Sequence, residues 1–319
     1  MNTVQTMFGG QGADGRDFLS LLTLFLAVTS FVYLLVIGFL IAAIIRRRRH
    51  AQSVETGEHR APAPGMRAVL TGWVGLIATG LTVLTVASFF TDRSMARNAA
   101  HPALEVEITA RQWWWDVTYS GANASQTLRT ANELHLPVNT PVHVTLTSQD
   151  VIHSFWVPNL AGKQDLIPGR ETDISLLPRQ LGLFRAQCAE FCGVQHAHMA
   201  LDVTVESRAD FLKWYGASLR PAQAPRTPLQ LAGYNYVTSR ECAMCHTVEG
   251  TSASSHFGPD LTHLASRRSL AAGTLPMNRG NLYGWIADPQ AQKPGSKMPT
   301  LGLKPDELHA VVAYLESLK

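Results

Sequence analysis

The sequence predicts a three-part, membrane-anchored architecture: a two-helix transmembrane hairpin, an all-β unit and a small all-helical domain. Two uninterrupted apolar runs, a train of short alternating segments, and a change of pattern beyond a proline-rich stretch predict it. Each follows from the order of residues in a chain of 319 whose hydrophobic fraction, 46%, is ordinary only as an average.

Residues 18–45 run 28 positions without a charge, and residues 68–91 run 24. A helix needs roughly 20 apolar residues to span the hydrocarbon core of a bilayer. The short connection, 46–67, holds Arg46, Arg47, Arg48, Arg49, Arg60 and Arg67, whereas the N-terminal flank, 1–17, holds only Arg16. The positive-inside rule therefore places the connection in the cytoplasm and both flanks outside. The first run is too long for a signal-peptide core and no basic region precedes it, so it reads as a retained anchor. A short leader cleaved before or within it is the alternative.

After residue 91 comes the all-β unit, 92–219. Residues 103–110 (ALEVEITA) alternate apolar and polar positions as a half-buried strand does. Strand-like runs follow at 142–147, 154–158, 172–177, 182–187 and 200–205, divided by turn residues such as Pro137, Asn139, Pro168, Gly169 and Pro178. Regular short strands with such punctuation predict a sandwich or barrel. Residues 210–219 read as a short closing helix.

Residues 220–228 (RPAQAPRTP) lack apolar periodicity and read as a linker. Beyond them, 229–319 shows helical patterns at 229–239 and 305–318. In the second, Pro305 suits a first turn and Asp306 and Glu307 suit the positive end of the helix dipole.

Charge excludes one class of function. Lys and Arg number 27 against 24 Asp and Glu, a net of +3, too near neutrality for a nucleic-acid binder. The only four cysteines form two pairs, Cys188/Cys192 and Cys242/Cys245. Outside the cytoplasm two disulfides are the plain alternative, but each pair is followed closely by histidine, which a stapling disulfide does not need.

Cys242-Ala-Met-Cys245-His246 is the C-x-x-C-H attachment signature of c-type haem. Two thiols would form thioethers and His246 would ligate iron. The competing redox C-x-x-C sits on a βαβ pattern, which is absent here. Methionine as second axial ligand raises the potential in electron-transfer cytochromes. Met298, in KPGSKMPT, is the candidate, ahead of Met277 and Met244. With the opening helix bearing Gly233 and Tyr234, GPDL at 258–261, Trp285 and Met298-Pro299, residues 229–319 resemble a class I cytochrome c. That resemblance implies that the Pro259 carbonyl orients His246 and that His256 and His263 are not ligands.

Residues 188–199 (CAEFCGVQHAHM) offer more soft donors than one blue-copper site needs, which takes two histidines, one cysteine and a weak methionine. Two bridging thiolates suit two coppers, each completed by one histidine and one weak ligand. The stretch supplies Cys188, Cys192, one histidine, Met199 and a backbone carbonyl at Glu190. The missing histidine is offered by His153, in Asp150-Val-Ile-His153-Ser-Phe. Zinc would accept Cys₂His₂, but it has no use for Met199 or for the neighbouring haem motif.

C-x-E-x-C-G-x-x-H-x-x-M with an upstream D-V-I-H-S-F resembles the binuclear copper-A centre of cytochrome c oxidase subunit II. The likeness extends to 157–170 (VPNLAGKQDLIPGR) and 111–119 (RQWWWDVTY). It implies a cupredoxin-like Greek-key barrel, with Cys188 and Cys192 bridging the coppers. His153 and His196, the latter chosen over His198 by the family's spacing, would be terminal ligands, with Met199 and the Glu190 carbonyl as weak ones. The Glu190 side chain would face the catalytic subunit, where the family places a magnesium ion. Trp113 matches the aromatic residue through which electrons arrive from cytochrome c, while packing accounts for at least two of Trp113, Trp114 and Trp115. One departure stands out: the family often carries a glutamate near the start of the second helix, and no carboxylate lies between Glu58 and Asp92. Glu55 or Glu58 would substitute, or protons would enter through another subunit.

Neither metal motif shows an open position beside an acid, base or nucleophile, so the chain reads as an electron carrier. The expectation is subunit II of a caa3-type cytochrome c oxidase in a bacterial cytoplasmic membrane, metal domains outside. Electrons would come from a cytochrome c or a quinol:cytochrome c reductase to the haem, then to copper, then to subunit I, where oxygen is reduced and protons are translocated. The alternatives are the copper-A subunit of a nitric oxide reductase and a membrane-tethered carrier. Nitrous oxide reductase would need a second copper domain for which the chain has no room. Residues 229–319 carry 8 Lys and Arg against 7 Asp and Glu, so strong electrostatic steering of an external donor is not expected.

Overall fold

The computed structural model describes residues 5–50, 65–99 and 101–319. Two compact units result, residues 16–97 and the remainder. In the first, the apolar runs form α1 (Ala13–His50) and α2 (Met66–Ala99), both long and apolar enough to cross a membrane. Their apolar side chains point outward, Leu34 at 66% and Val74 at 65% exposure among them, a distribution that lipid but not water accommodates. Phe39 packs edge-on against Trp73, ring centres 6.1 Å apart. Both helices outrun the apolar stretches; α1 continues through Arg46–48, which are good helix formers and exposed. The rest of the expected cytoplasmic loop, with Arg60, Glu55 and Glu58, lies outside the described residues.

The second unit holds both remaining domains. In the all-β domain ten strands form two sheets: β1 (Leu104–Arg111), β2 (Trp114–Tyr119), β3 (Leu128–Ala131), β4 (Glu133–Pro137), β5 (Val142–Ser148), β6 (His153–Trp156), β7 (Lys163–Leu166), β8 (Thr172–Leu176), β9 (Gly182–Cys188) and β10 (Ala200–Glu206). One sheet runs β3-β2-β1-β5-β8 and the other β4-β10-β9-β6-β7. Most neighbours are antiparallel, but β1 pairs with β5 and β4 with β10 in parallel, pairings that hairpins cannot make and that require the chain to cross over. Alternation drives the layering: along β5, Val142, Val144 and Leu146 are buried while the residues between them are only half-buried. They join Ile108, Val117, Leu134, Phe155 and Val203 in one core. Helix α3 (Arg208–Ser218), capped by the Ser207 hydroxyl accepting from Asp210 N–H, lays Trp214 and Tyr215 against Tyr119. The N-terminal flank also packs here: Gln11 and Gly12 N–H donate to Asn159 O at 2.9 and 3.1 Å, and Arg179 N–H donates to Gln11 O at 2.7 Å.

The C-terminal domain has its own core around Val237, Leu282, Val312 and Tyr314. It is built from α4 (Pro228–Ser239), α5 (Arg279–Ala287), α6 (Pro289–Gln292) and α7 (Pro305–Leu315), with a two-residue ribbon, β11 (Ser269–Leu270) and β12 (Leu275–Pro276), inserted before α5. Helix α4 starts as its sequence dictates, with Thr227 as cap and Pro228 in the first turn. In α7 the Glu307 carboxylate accepts from Lys304 N–H at 3.0 Å. The stretch expected as a free linker is pinned: Ala222 N–H donates to Glu249 O at 2.9 Å and His263 Nε2 donates to Arg220 O at 3.0 Å. An extended proline-rich backbone has no internal partners and takes them from the adjacent domain.

Candidate metal centres

The sequence from 188 to 199 leaves a strand, makes a loop and returns to the next strand. Cys188 is the last residue of β9, and Cys192 sits in the loop. His196 begins a single 3₁₀ turn, and Met199 precedes β10. His153 opens β6, the strand beside β9 in the same sheet, so the fold supplies the donor that the stretch lacks. Cys188, Cys192, His153 and Met199 are each 3% exposed or less.

The six expected donors converge. The Sγ atoms of Cys188 and Cys192 are 3.7 Å apart, and both are free thiols, far beyond the roughly 2.05 Å of a disulfide. His153 Nδ1 lies 3.8 Å from Cys188 Sγ and His196 Nδ1 lies 3.6 Å from Cys192 Sγ. Met199 Sδ is 3.8 Å from Cys192 Sγ, and the Glu190 carbonyl oxygen is 3.1 Å from Cys188 Sγ. His153, Cys188 and Cys192 present ligand atoms all within 4.8 Å of one another. His153 Nε2–H donates to Asp150 Oδ1 at 2.9 Å, which leaves Nδ1 as the free lone pair on the sulfur side.

Electrostatics make the same point. The hydrogen bond with the Cys192 thiol pulls Cys188 down to about 3 against the opposing effect of burial, with help from His153. That same pairing, and then burial, pushes Cys192 up. Two buried sulfurs this close cannot both carry charge unless a cation lies between them. Two thiolates, two imidazoles, a thioether and a carbonyl exceed the four donors of a structural zinc and match the softness that copper prefers. His198, the histidine ranked second, turns away: its Nδ1 meets Gln195 Oε1 at 2.8 Å and its side chain is exposed.

Trp113 joins the copper-type cluster through the backbone. Its indole Nε1–H donates to Cys192 O at 2.9 Å and the ring is 9% exposed. Gln112 Nε2 donates to the same carbonyl at 2.8 Å. Trp115 is fully buried core, and Trp114 lies beneath the Arg111 guanidinium at 5.6 Å, so those two rings serve packing.

In the helical domain Cys242 lies in a short 3₁₀ turn (Glu241–Met244) that ends just before Cys245 and His246. Burial, ahead of Glu241, pushes the Cys242 thiol up to about 11. His246 Nδ1–H donates to Pro259 O at 2.7 Å, and burial lowers its pKa so that the ring is neutral with Nε2 free to bind iron. A Cβ on Gly258 would stand 2.8 Å from His246 Cε1, so the absent side chain is what admits the imidazole. Met298 sits in the segment between α6 and α7, its carbonyl accepting from Gln290 Nε2 at 2.8 Å. His256 is engaged with Thr247 Oγ1 at 3.1 Å.

Sequence reasoning missed Asp150 and Lys293 as contributors. Asp150 was in view within DVIHSF, three residues before His153, and its carboxylate could have been read as a histidine orienter. Lys293 carried no signal, because a lysine in a proline-glycine loop reads as solvated, yet it is 2% exposed.

Residues 118–207 match the family model for the periplasmic domain of cytochrome C oxidase subunit II, and residues 231–319 match that for cytochrome c. The chain is 30% identical over 286 residues to cytochrome c oxidase subunit 2 of Alkalihalophilus pseudofirmus, covering 89% of this chain and 81% of the relative. It is 27% identical over 330 residues to the Bacillus subtilis protein of the same name, covering 97% and 90%. The solved periplasmic domain of subunit II of the Bradyrhizobium japonicum cytochrome oxidase is 28% identical with a TM-score of 0.35, over 38% of this chain and 96% of that one.

Proposed function

The chain belongs to the cytochrome c oxidase subunit II family, and from that premise we propose that it carries electrons from a covalently bound haem c, through a binuclear copper centre, to oxidase subunit I. It is membrane-anchored and serves as the electron-transfer subunit of a haem-copper oxidase. Its two metal-binding domains imply copper and haem.

One observation carries the finer reading: the paired sulfurs of Cys188 and Cys192, with His153 Nδ1 facing one and His196 Nδ1 facing the other. A thiolate pair flanked by one histidine on each side suits two coppers, with Met199 and the Glu190 carbonyl as weak donors. When bound, the haem and the copper pair would each supply a one-electron carrier. Cys242 and Cys245 would tether the haem, while His246 and Met298 would hold its iron and leave no site for substrate. Burial of His153, Cys188, Cys192 and Met199 and the fixed Asp150–His153 pair would keep these donors from rearranging between oxidation states. Trp113 would couple the copper loop to the incoming side through its bond to Cys192 O.

The partner side is proposed to lie at Glu190 and Phe191. The Glu190 side chain is exposed beside the copper donors, suiting a magnesium ion shared with subunit I, and Phe191 is 75% exposed with its ring 5.9 Å from His196. The arginine-rich end of α1 supports a cytoplasmic loop. The bonds of residues 11 and 12 to Asn159 support an N-terminal flank on the same, periplasmic side as the metal domains of a bacterial inner membrane. The donor would be a cytochrome c or a quinol:cytochrome c reductase.

Cys192→Ser tests the reading in the assembled oxidase. The expected result is loss of copper and of electron delivery, with the haem still attached; normal oxygen turnover by this variant would overturn it.

A further inference from the structure

Lys293 is a buried cation that none of these roles uses. Its ammonium makes three hydrogen bonds of 2.8 Å, to the carbonyl oxygens of Trp113, His198 and Ala271, and none to a carboxylate. Burying a charged amine without an acid is tolerated only where each N–H finds an acceptor, and here three N–H groups meet three oxygens. Burial pushes the pKa of this amine down to about 7.

The acceptors come from three places: the turn between β1 and β2, the copper loop between His196 and Met199, and the turn between β11 and β12 of the haem domain. That last turn is strained. Ala271, Ala272 and Gly273 have φ of 52°, 59° and 76°, a left-handed run that alanine rarely adopts. Its carbonyls face the β domain: Ala272 O accepts from Ala200 N–H at 2.9 Å and Gly273 O from Arg185 Nη1 at 3.3 Å. The residues after Lys293 continue the contact. Pro294 O accepts from Gln195 Nε2 at 2.7 Å. A Cβ at Gly295 would lie 3.2 Å from Val194 Cγ2 and 3.8 Å from the Trp113 ring. Lys297 Nζ reaches Asp150 Oδ2 at 3.2 Å, and Met298 follows.

We propose that Lys293 is a positioning residue for electron delivery: it clamps loop 293–297, which leads into Met298, to the copper domain, holds Gly295 against Trp113, and closes that tryptophan to any donor other than this chain's own haem domain. A methionine of similar length would fill the space but leave Trp113 O without its donor, and His198 O and Ala271 O with only the Thr274 hydroxyl, at 3.5 and 2.7 Å. Apolar packing alone would let the loop slide, whereas three bonds from one nitrogen to three segments fix its position. The proposal rests on the assignment of haem to one site and copper to the other.

The test uses the assembled oxidase carrying Lys293→Met. Three quantities are read: the haem and copper spectra, the rate of electron transfer from photoreduced haem to copper, and hydroxyl-radical oxidation of Trp113. Both spectra should be unchanged, while transfer slows several-fold or more as the haem domain drifts from the copper loop. Trp113 should be oxidised several-fold faster, and Lys293→Arg, which keeps the cation and its donors, should restore part of both. Native transfer and native protection of Trp113 in Lys293→Met, or a lower melting temperature as its sole defect, overturns the proposal. If Lys293→Met does not assemble, Gly295→Ala, with its methyl pressed on Val194, lifts the same loop and is judged by the same readings. Wild-type oxidase whose Trp113 is oxidised as fast as an exposed tryptophan overturns it without any variant. Absence of copper or haem from the wild type would instead count against the site assignment.

Discussion

Asp150 and His153 form a carboxylate–imidazole pair at the edge of the copper-type cluster, with Asp150 Oδ1 2.9 Å from His153 Nε2 and His153 fully buried. Backbone N–H groups of Gln112 and Val151, at 2.7 and 2.9 Å, hold the carboxylate from the other side. Burial would raise the Asp150 pKa, but the bond from His153 and these N–H donors outweigh it and hold the group well below the usual carboxylate range. The pair thus fixes both the ring's tautomer and its direction.

Asp150→Asn should leave His153 in place but poorly oriented, because an amide accepts a weaker bond and can flip. Copper affinity should fall roughly 10- to 100-fold, the usual cost of losing a carboxylate behind a ligating histidine. Copper titration of the full chain against a chelator measures this, with the haem spectrum as internal control. Unchanged affinity would show that β6 alone positions the ring.

The proposed copper donors could be assembled from the sequence because five of six fall within twelve consecutive residues, and the sixth opens a strand whose sequence, HSFW, is apolar enough to be recognised. The strands that escaped were those whose pattern departs from alternation. β2 buries Trp115, Asp116 and Val117 in a row, since Asp116 is paired with Arg129 inside the sheet. β3 and β7 have only four residues each, and β4 ends in proline. Trp113 was visible as an aromatic in WWW, but its enclosure was not, because that depends on Lys293 and Gly295, some 180 positions away. Long-range docking of two domains leaves no local periodicity to read.

Met298→Leu tests Met298 as the proposed second ligand of the haem iron. The thioethers of Cys242 and Cys245 and the His246 bond should remain, so the haem should stay attached. The reduction potential should fall on the order of 0.1 V, a fraction of the roughly 0.8 V range that axial ligands command, because a thioether favours the reduced iron. Potentiometric titration followed at the haem absorbance checks it; an unchanged potential would move the ligand assignment to Met277 or Met244.

Gly258→Ala tests the cradle of His246, the proposed haem ligand. The new methyl would stand 2.8 Å from Cε1 and 3.0 Å from Nδ1 of His246, so the ring must tilt and weaken its bond to Pro259 O. Overpacking of this kind costs about 1–3 kcal/mol, and it should appear as earlier melting of the haem domain together with a shifted haem absorbance. The copper signal, in the other core, should not change. A variant with native absorbance and melting would mean that the 258–259 turn moves aside without cost.

His135 gives the second unit a predictable pH response. Its ring stacks on Trp214 at 3.9 Å, with Nδ1 2.8 Å from Glu206 Oε1 and Nε2 3.7 Å from Glu133 Oε2. Burial would depress its pKa, but the bonds with Glu133 and Glu206 prevail and raise it. Glu133 is lowered overall: burial opposes ionisation, while His135 and Arg267 of the haem domain favour it. A histidine raised on folding contributes stability that is complete below its unfolded pKa of about 6.5. That contribution is lost as pH rises through the higher folded value. A glutamate lowered on folding contributes above its unfolded pKa of about 4.3 and is lost as pH falls through its folded value. Stability from this cluster should therefore be greatest between those limits and decline on the alkaline side. Because Arg267 bonds Thr130 Oγ1 at 3.3 Å and Asp260 O at 2.6 Å, the decline should loosen the haem domain as well. Melting of the full chain from pH 5 to 9 measures the trend, and His135→Gln, which cannot take the charge, should flatten the alkaline limb. An alkaline decline equally steep in His135→Gln would assign it to other groups.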